Sequence, residues 1–286
     1  MSFAEFLYTR ILRPRPLRRL TNAALLRMIP RTTRVGPATI HLDQEDPVVS
    51  GALALRVYER SEIEFFLKHC RGNVTFVDVG ANVGLYTALA MHTLSEHGRV
   101  VAIEPRPKTF PLLERNIAAN RRAAGPRVDA FCLAAAAEAG RRTLFQNPDN
   151  KADNRVYESH DFAWEVTEVP ARPLDDLLTD EGIQAIHVLK MDVQGFEQMV
   201  VRGMQRTLRR SSRIVLLSEF WPKGLREAGG DAHAYLKELT DLGFQLHELG
   251  RGGTIQPVAH WDALIRGLPG RKYTNLVGMK GSPGLA

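Results

Sequence analysis

The stretch Phe-Val-Asp-Val-Gly-Ala-Asn-Val-Gly-Leu-Tyr-Thr, residues 76–87, constrains this chain more than any other. A short, β-branched apolar strand, Val74 to Val79, runs directly into a loop carrying Gly80 and Gly84. Leu85, Ala88, Leu89 and His92 then recur at helical spacing. A strand, glycine loop and helix in that order present backbone N–H groups and a helix N-terminus to a ligand at the carboxyl end of the strand. The dinucleotide fingerprint G-x-G-x-x-G would need glycines at 80, 82 and 85, where Asn82 and Leu85 break the match. Asp78 precedes the loop, and Asn82 is a residue type that tolerates left-handed backbone.

Around this unit the apolar pattern alternates between strand and helix. Strands are predicted at Arg99 to Ile103, Val128 to Leu133, Ile186 to Met191 and Arg213 to Leu217, with two more at Phe244 to Leu249 and Tyr273 to Met279. Helices are predicted from Ser61, an N-cap with Glu64 three residues later, and over Lys108 to Asn120, Phe196 to Arg206 and Ala232 to Leu242. A short helix is expected at Leu174 to Leu178, and short strands at Arg142 to Phe145 and Trp164 to Val169. This is the pattern of an α/β fold: a doubly wound, mostly parallel, Rossmann-like sheet with its ligand at the carboxyl edge.

The charge is uneven, and that bears on partners. The net charge is +6, yet residues 1–34 hold eight arginines against Glu5 alone, a net of +7, so the remaining chain sums to −1. A near-neutral body argues against a nucleic-acid groove. The reading divides the chain into a basic amphipathic helical arm, residues 1–44, and a catalytic domain, residues 45–286. Phe3, Phe6, Leu7 and Ile11, then Leu17, Leu20, Ala24 and Met28, give the arm an apolar face. That face can meet an anionic membrane surface, the domain or a second subunit. No run is long and apolar enough to span a bilayer, and the opening lacks the pattern of a signal peptide. Cys70 and Cys132 sit far apart without ligand spacing, so a cytoplasmic setting is expected, with peripheral membrane contact through residues 1–34 as the variant.

The spacing Asp-x-Gly-x-Asn-x-Gly at 78–84 resembles the first motif of class I S-adenosylmethionine-dependent methyltransferases. It leaves less room for pyrophosphate and turns a carboxylate toward a cationic amino-acid moiety. Glu104, twenty residues past Gly84 at a strand end, is then placed to accept hydrogen bonds from both ribose hydroxyls. Arg106 either covers the ribose or is surface. Asp192, in Leu-Lys-Met-Asp-Val-Gln-Gly-Phe-Glu, emerges beside the glycine loop as a base for an attacking hydroxyl, a ligand for the cofactor's ammonium, or an N-cap. Glu219 is the second candidate base, with capping as the plain alternative. No metal ligand set is assigned, although two strand-end acids could hold a divalent cation. His187 is read as structural, His160 as a remote alternative base, and Asn147-Pro148-Asp149-Asn150 as a turn.

Val-Tyr-Glu-Arg-Ser-Glu (57–62), the glycine loop (76–84), Ala-Ile-Glu-Pro (102–105), Pro-Leu-Asp-Asp-Leu (173–177) and Lys-Met-Asp-Val-Gln-Gly-Phe-Glu (190–197) together resemble the FkbM-type methyltransferase family. The likeness runs from about residue 45 to residue 280. It implies S-adenosylmethionine as cofactor and O-methylation of a hydroxyl on a sugar, glycan, polyketide or related metabolite. Asp78, Gly80, Asn82, Gly84, Glu104 and Asp192 would contact the cofactor, and Tyr58-Glu59 would close over it. Gln194 stands where many members have Glu. The acceptor would be a small molecule or glycan, set by residues 140–170 and 220–232, with Trp164, Phe220 and Trp221 as exposed lining. Competing readings are a nucleic-acid methyltransferase, a nicotinamide oxidoreductase, disfavoured by the glycine spacing and the lack of a Tyr-x-x-x-Lys pair, and a non-catalytic membrane scaffold.

Overall fold

The computed structural model describes residues 29–44, 46, 48–55, 58–147, 153–158 and 165–281. Residues 1–28 of the basic arm, Trp164, His160 and residues 148–150 lie outside them. The order is β1 (Thr32–Val35), β2 (Ala38–His41), α1 (Val49–Ala54), α2 (Arg60–His69), β3 (Thr75–Val79), α3 (Leu85–Thr93), β4 (Arg99–Ile103), α4 (Phe110–Ala119), β5 (Arg127–Phe131), β6 (Ala134–Ala135), β7 (Gly140–Gln146) and β8 (Asn154–Arg155). There follow β9 (Glu165–Arg172), α5 (Leu174–Asp180), β10 (Val188–Met191), α6 (Glu197–Arg202), α7 (Gln205–Arg210), β11 (Ile214–Phe220), α8 (Pro222–Glu227), α9 (Ala232–Asp241), β12 (Gln245–Leu249), β13 (Ile255–Pro257), α10 (Trp261–Gly267) and β14 (Thr274–Lys280).

The central sheet has eight strands in the order β13-β12-β14-β11-β10-β3-β4-β5. The five strands from β11 to β5 run parallel, and β14 enters antiparallel between β11 and β12. Strands covered on both faces need apolar residues on both, and β10 and β11 are buried along their whole length. The chain proceeds from β3 outward to β4 and β5, then returns to lay β10 on the other side of β3. The order therefore reverses between β3 and β10, and a crevice opens at their carboxyl ends. A second sheet, β6-β9-β7-β8, is built from the irregular middle of the chain.

Three sequence expectations change here. The stretch Ala38–His41, assigned to the arm, packs with the domain: Ala38 and Ile40 are fully buried, and α4 binds the β2 backbone through two asparagines. Asn116 accepts from His41 N–H at 2.7 Å and donates to His41 C=O at 3.1 Å. Asn120 does the same at Thr39, at 3.0 and 2.7 Å. The amides act as a surrogate strand, satisfying the edge of β2 away from β1. The helix expected over Phe196 to Arg206 is two helices, because Gly203 lies so close to Ala136 C=O that a Cβ there would sit 2.0 Å from it. Ser61 is no N-cap: Glu59 holds that position at φ 40°, and the Ser61 hydroxyl accepts from Gly252 N–H at 3.2 Å.

Candidate active site

The glycine loop turns as its sequence requires, with Gly80, Asn82 and Gly84 all at positive φ (76°, 52° and 83°). A Cβ on Gly80 would stand 2.0 Å from Asp192 C=O, and one on Gly84 would stand 2.5 Å from Leu113 Cδ1. The first glycine thus lets the loops after β3 and β10 touch; the second seats α3 on α4. The loop's N–H groups are not held open for a ligand. Those of Gly80 and Ala81 donate to Ile103 C=O, both at 2.9 Å, and that of Gly84 to Ala81 C=O at 2.8 Å. Asn82 N–H donates to Glu104 Oε2 at 2.9 Å. A loop whose donors are spent on its own chain is a poor pyrophosphate cradle, which argues against a dinucleotide.

A cleft of about 830 Å³, open mouth included, lies over the switch point. Ile103, Ala134, Ala135, Leu144 and Val156 give it apolar walls beside the Gly80–Val83 turn and Glu104, and Tyr58, Tyr86, Lys190, Asp192 and Gln194 supply its polar and charged part. Its size and its apolar walls with a few polar groups suit a nucleoside-sized ligand. Glu104 sits at the end of β4 with its second oxygen accepting from Arg106 N–H at 2.9 Å. Each carboxylate oxygen keeps a further lone pair. Burial pushes its carboxyl up to about 7 against those two hydrogen bonds.

The charged end was only partly foreseen. Asp192 projects from the end of β10, with Lys190 Nζ 3.9 Å from its Oδ2. Lys190 is buried and lies 4.9 Å over the Tyr86 ring; the charges of Asp192, Asp78, Glu59 and Glu219 outweigh burial and raise its pKa. Tyr86 O–H donates to Glu59 at 2.7 Å, and burial lifts the Glu59 carboxyl to about 7. Lys190, Tyr86 and Glu59 as an interacting set were missed. The available signal was Lys190 itself, a charge inside a strand otherwise apolar on both faces.

Other predicted residues stand elsewhere. Asp78 does not line the cleft: its Oδ2 takes the Thr87 N–H and hydroxyl at 3.1 and 2.7 Å, pinning the first turn of α3, while its Oδ1 is buried with no hydrogen bond. Gly84 is likewise structural. Arg106 is neither surface nor lining. It is buried, with its guanidinium on Gln146 Oε1 (2.8 Å) and Thr109 Oγ1 (3.1 Å). Glu219 lies inside β11, behind Asp192, and does not line the cleft; neither acid is an N-cap, since Phe196 and Trp221 hold those positions. Phe220 and Trp221 are not exposed aromatics. Phe220 stacks on Tyr235, and Trp221 donates from Nε1 to Gly270 C=O at 2.8 Å under the Arg155 guanidinium. His187 is structural: its Nδ1 accepts from Thr75 N–H at 3.0 Å. Gly195 (φ 102°) packs so tightly on α8 that a Cβ would lie 2.5 Å from the Gly224 carbonyl carbon.

Residues 78–246, more than half of the chain, match the Methyltransferase FkbM domain family. The chain belongs to the FkbM methyltransferase family. It is 29% identical over 195 residues to Methyltransferase sdnD of Sordaria araneosa, covering 57% of this chain and 75% of that protein. It is 30% identical over 222 residues to 31-O-demethyl-FK506 methyltransferase FkbM of Streptomyces tacrolimicus, covering 68% and 77%. Methyltransferase 1 of Beauveria bassiana is 26% identical over 186 residues, covering 58% and 74%. The chain is thus an S-adenosylmethionine-dependent methyltransferase. The chemistry of the cleft is compatible with that cofactor: Glu104, a strand-end carboxyl group able to accept from hydroxyls, Asp192, a carboxyl group beside a buried lysine, and no open phosphate cradle. Among the described residues no helix is long and apolar enough to cross a membrane.

Proposed function

We propose that this FkbM-family enzyme methylates a hydroxyl of a small molecule, of the polyketide, sugar or related metabolite class. The cofactor, when bound, supplies a methyl group already activated on a sulfonium. Everything else falls to the chain. Glu104 accepts from the two ribose hydroxyls, and the Gly80–Val83 turn with Ile103, Ala134 and Leu144 encloses the adenosine and excludes water. Asp192 takes the proton from the acceptor hydroxyl as its oxygen attacks, or holds the cofactor's ammonium; its position at the cleft's charged end serves either role. Alignment and desolvation of this kind are worth about 7–11 kcal/mol in favourable cases.

The observation that carries the reading is Asp192 lining the cleft two residues from a buried lysine. Two further facts support it: the Streptomyces relative's name places its methyl group on an oxygen, and the chain beyond residue 34 is near neutral, unlike a nucleic-acid enzyme. Mass spectrometry of small-molecule extracts incubated with the full chain and a deuterated-methyl donor tests it. A labelled ether product is expected, and it disappears with Asp192→Asn. Label found only on nitrogen, carbon or nucleic acid would refute it.

A further inference from the structure

Lys190 stands inside β10, a strand buried along its whole length, yet its side chain lines the cleft. The residue is only 7% exposed. An ammonium carries three N–H donors. None of those on Lys190 reaches a hydrogen-bond acceptor among the described residues. Its ion pair with Asp192 Oδ2 spans 3.9 Å, against about 2.7–2.9 Å for a charge-assisted hydrogen bond. The Tyr86 ring, 4.9 Å from Nζ, attracts a cation without replacing those bonds.

A lysine kept to neutralise buried acids would bond to them directly. Here the acids are engaged elsewhere. Asp78 Oδ2 accepts from Thr87, and Glu59 accepts from Tyr86 O–H. Asp192 and Glu219 each accept from the Gln194 amide, at 2.8 and 2.7 Å. Their charges favour the ammonium form of Lys190, while its donors stay uncommitted. A buried charge without hydrogen bonds is costly, and it is explained when a ligand supplies the missing acceptors.

The chemistry of that ligand group follows from what else lines the cleft. Lys190 is the only basic side chain among the described residues there. S-adenosylmethionine carries one anionic group, the carboxylate of its amino-acid end, with an ammonium on the same carbon. A lysine ammonium beside an aspartate carboxyl is the complement of that pair. We propose that Lys190 is the carboxylate anchor of the cofactor: its buried ammonium donates hydrogen bonds to the amino-acid carboxylate, with Tyr86 and Asp192 holding it in place. The inference rests on the methyltransferase reading of this cleft and deepens it, because it assigns the group that tells the whole cofactor from its nucleoside portion.

The test is calorimetry of the full chain with two ligands that differ in one group. These are S-adenosylhomocysteine and its decarboxylated analogue, which keeps the adenosine, the sulfur and the ammonium. The wild type is expected to bind S-adenosylhomocysteine at least about 10-fold more tightly, the worth of one charge-assisted hydrogen bond. Lys190→Met is expected to erase that preference, losing about 10-fold or more toward S-adenosylhomocysteine and nothing toward the analogue. Equal affinities in the wild type would overturn the proposal, and that comparison decides even if Lys190→Met fails to fold. So would a variant that weakens both ligands alike, which is what a purely structural lysine would give. A variant that kept the wild-type preference would also overturn it, by placing the carboxylate elsewhere. Silence of the wild type with both ligands is a different result, and it would overturn the cofactor reading beneath.

Discussion

The two edges of the central sheet handle charge in opposite ways. At the amino edge, Arg99 opens β4 and meets Asp129 at 2.9 Å and Glu181 at 2.7 Å, and Arg127 opens β5 and meets the same two acids at 3.0 Å each. Cations and anions are equal in number, each acid is bound by both arginines, and water reaches the group. At the carboxyl edge, Asp78, Glu59, Asp192 and Glu219 act on one buried cation, Lys190. The first arrangement closes the bottom of a sheet at little desolvation cost. The second gathers four carboxyl groups around one ammonium, which a stability argument alone would not produce, and burial raises the pKa of Glu59, Asp78 and Glu219 there. Carboxyl groups in that excess suit a ligand that brings positive charge.

The sharpest way to break this contrast is to cut one residue from each edge. Glu104→Ala removes a charge-assisted acceptor and strands the N–H groups of Asn82 and Arg106. At about 1.5–3 kcal/mol for each charged hydrogen bond, affinity for S-adenosylhomocysteine is expected to fall at least about 100-fold by calorimetry. Arg99→Ala should leave that affinity within about twofold and lower only the thermal midpoint. Equal losses from both would show that the edges do not differ in kind.

The second prediction concerns the contact that joins the two loops of the carboxyl edge. Gly80→Ala forces a Cβ to 2.0 Å from Asp192 C=O at φ 76°. Strain at that backbone costs about 1–3 kcal/mol before the clash is relieved, so chemical denaturation is expected to show a loss of about 3 kcal/mol or more, with binding lost too. Gly182, at φ 69° after α5 with open space around it, is the control and should lose only the backbone part.

The smallest effect is a pH dependence that belongs to the carboxyl edge. Burial raises Glu104 and Glu197 from 4.5 to about 7. The folded chain therefore binds more protons than the unfolded chain between those values, and stability falls as pH rises through that window. The thermal midpoint of the ligand-free protein is expected to be higher near pH 6 than near pH 8, by roughly 5 °C. A flat or opposite profile in scanning calorimetry would mean these carboxylates are ionised at neutral pH.

Much of the parallel half was legible because its signals are local. The β3 strand, the glycines and Glu104 all declare themselves within thirty residues, and the strand periodicity located β4, β5, β10 and β11 to within a few positions. What escaped depends on contacts between distant segments. How β2 is held depends on its pairing with β1 and on the amides of Asn116 and Asn120, about 75–81 residues away. The burial of Phe220 and Trp221 follows from Tyr235, Gly270 and Arg155, none of which is marked in the local pattern. Asp78 and Arg106 sit at motif positions, yet the side chains turn inward to hold helix and loop, and spacing alone cannot say which way a side chain faces. Short elements without caps or clear amphipathicity, α8, β13 and α10, left no trace that periodicity could find.

The near-contact of Gly195 with Gly224 has a mechanical corollary. With no side chain on either residue, backbone rests on backbone, and there is no soft layer to absorb displacement between the loop bearing Gln194 and the start of α8. A shift of α8 would therefore be transmitted to Gln194 and, through its amide, to Asp192 in the cleft. Substitutions on that outer helix would then be felt at the cleft without any of them lining it.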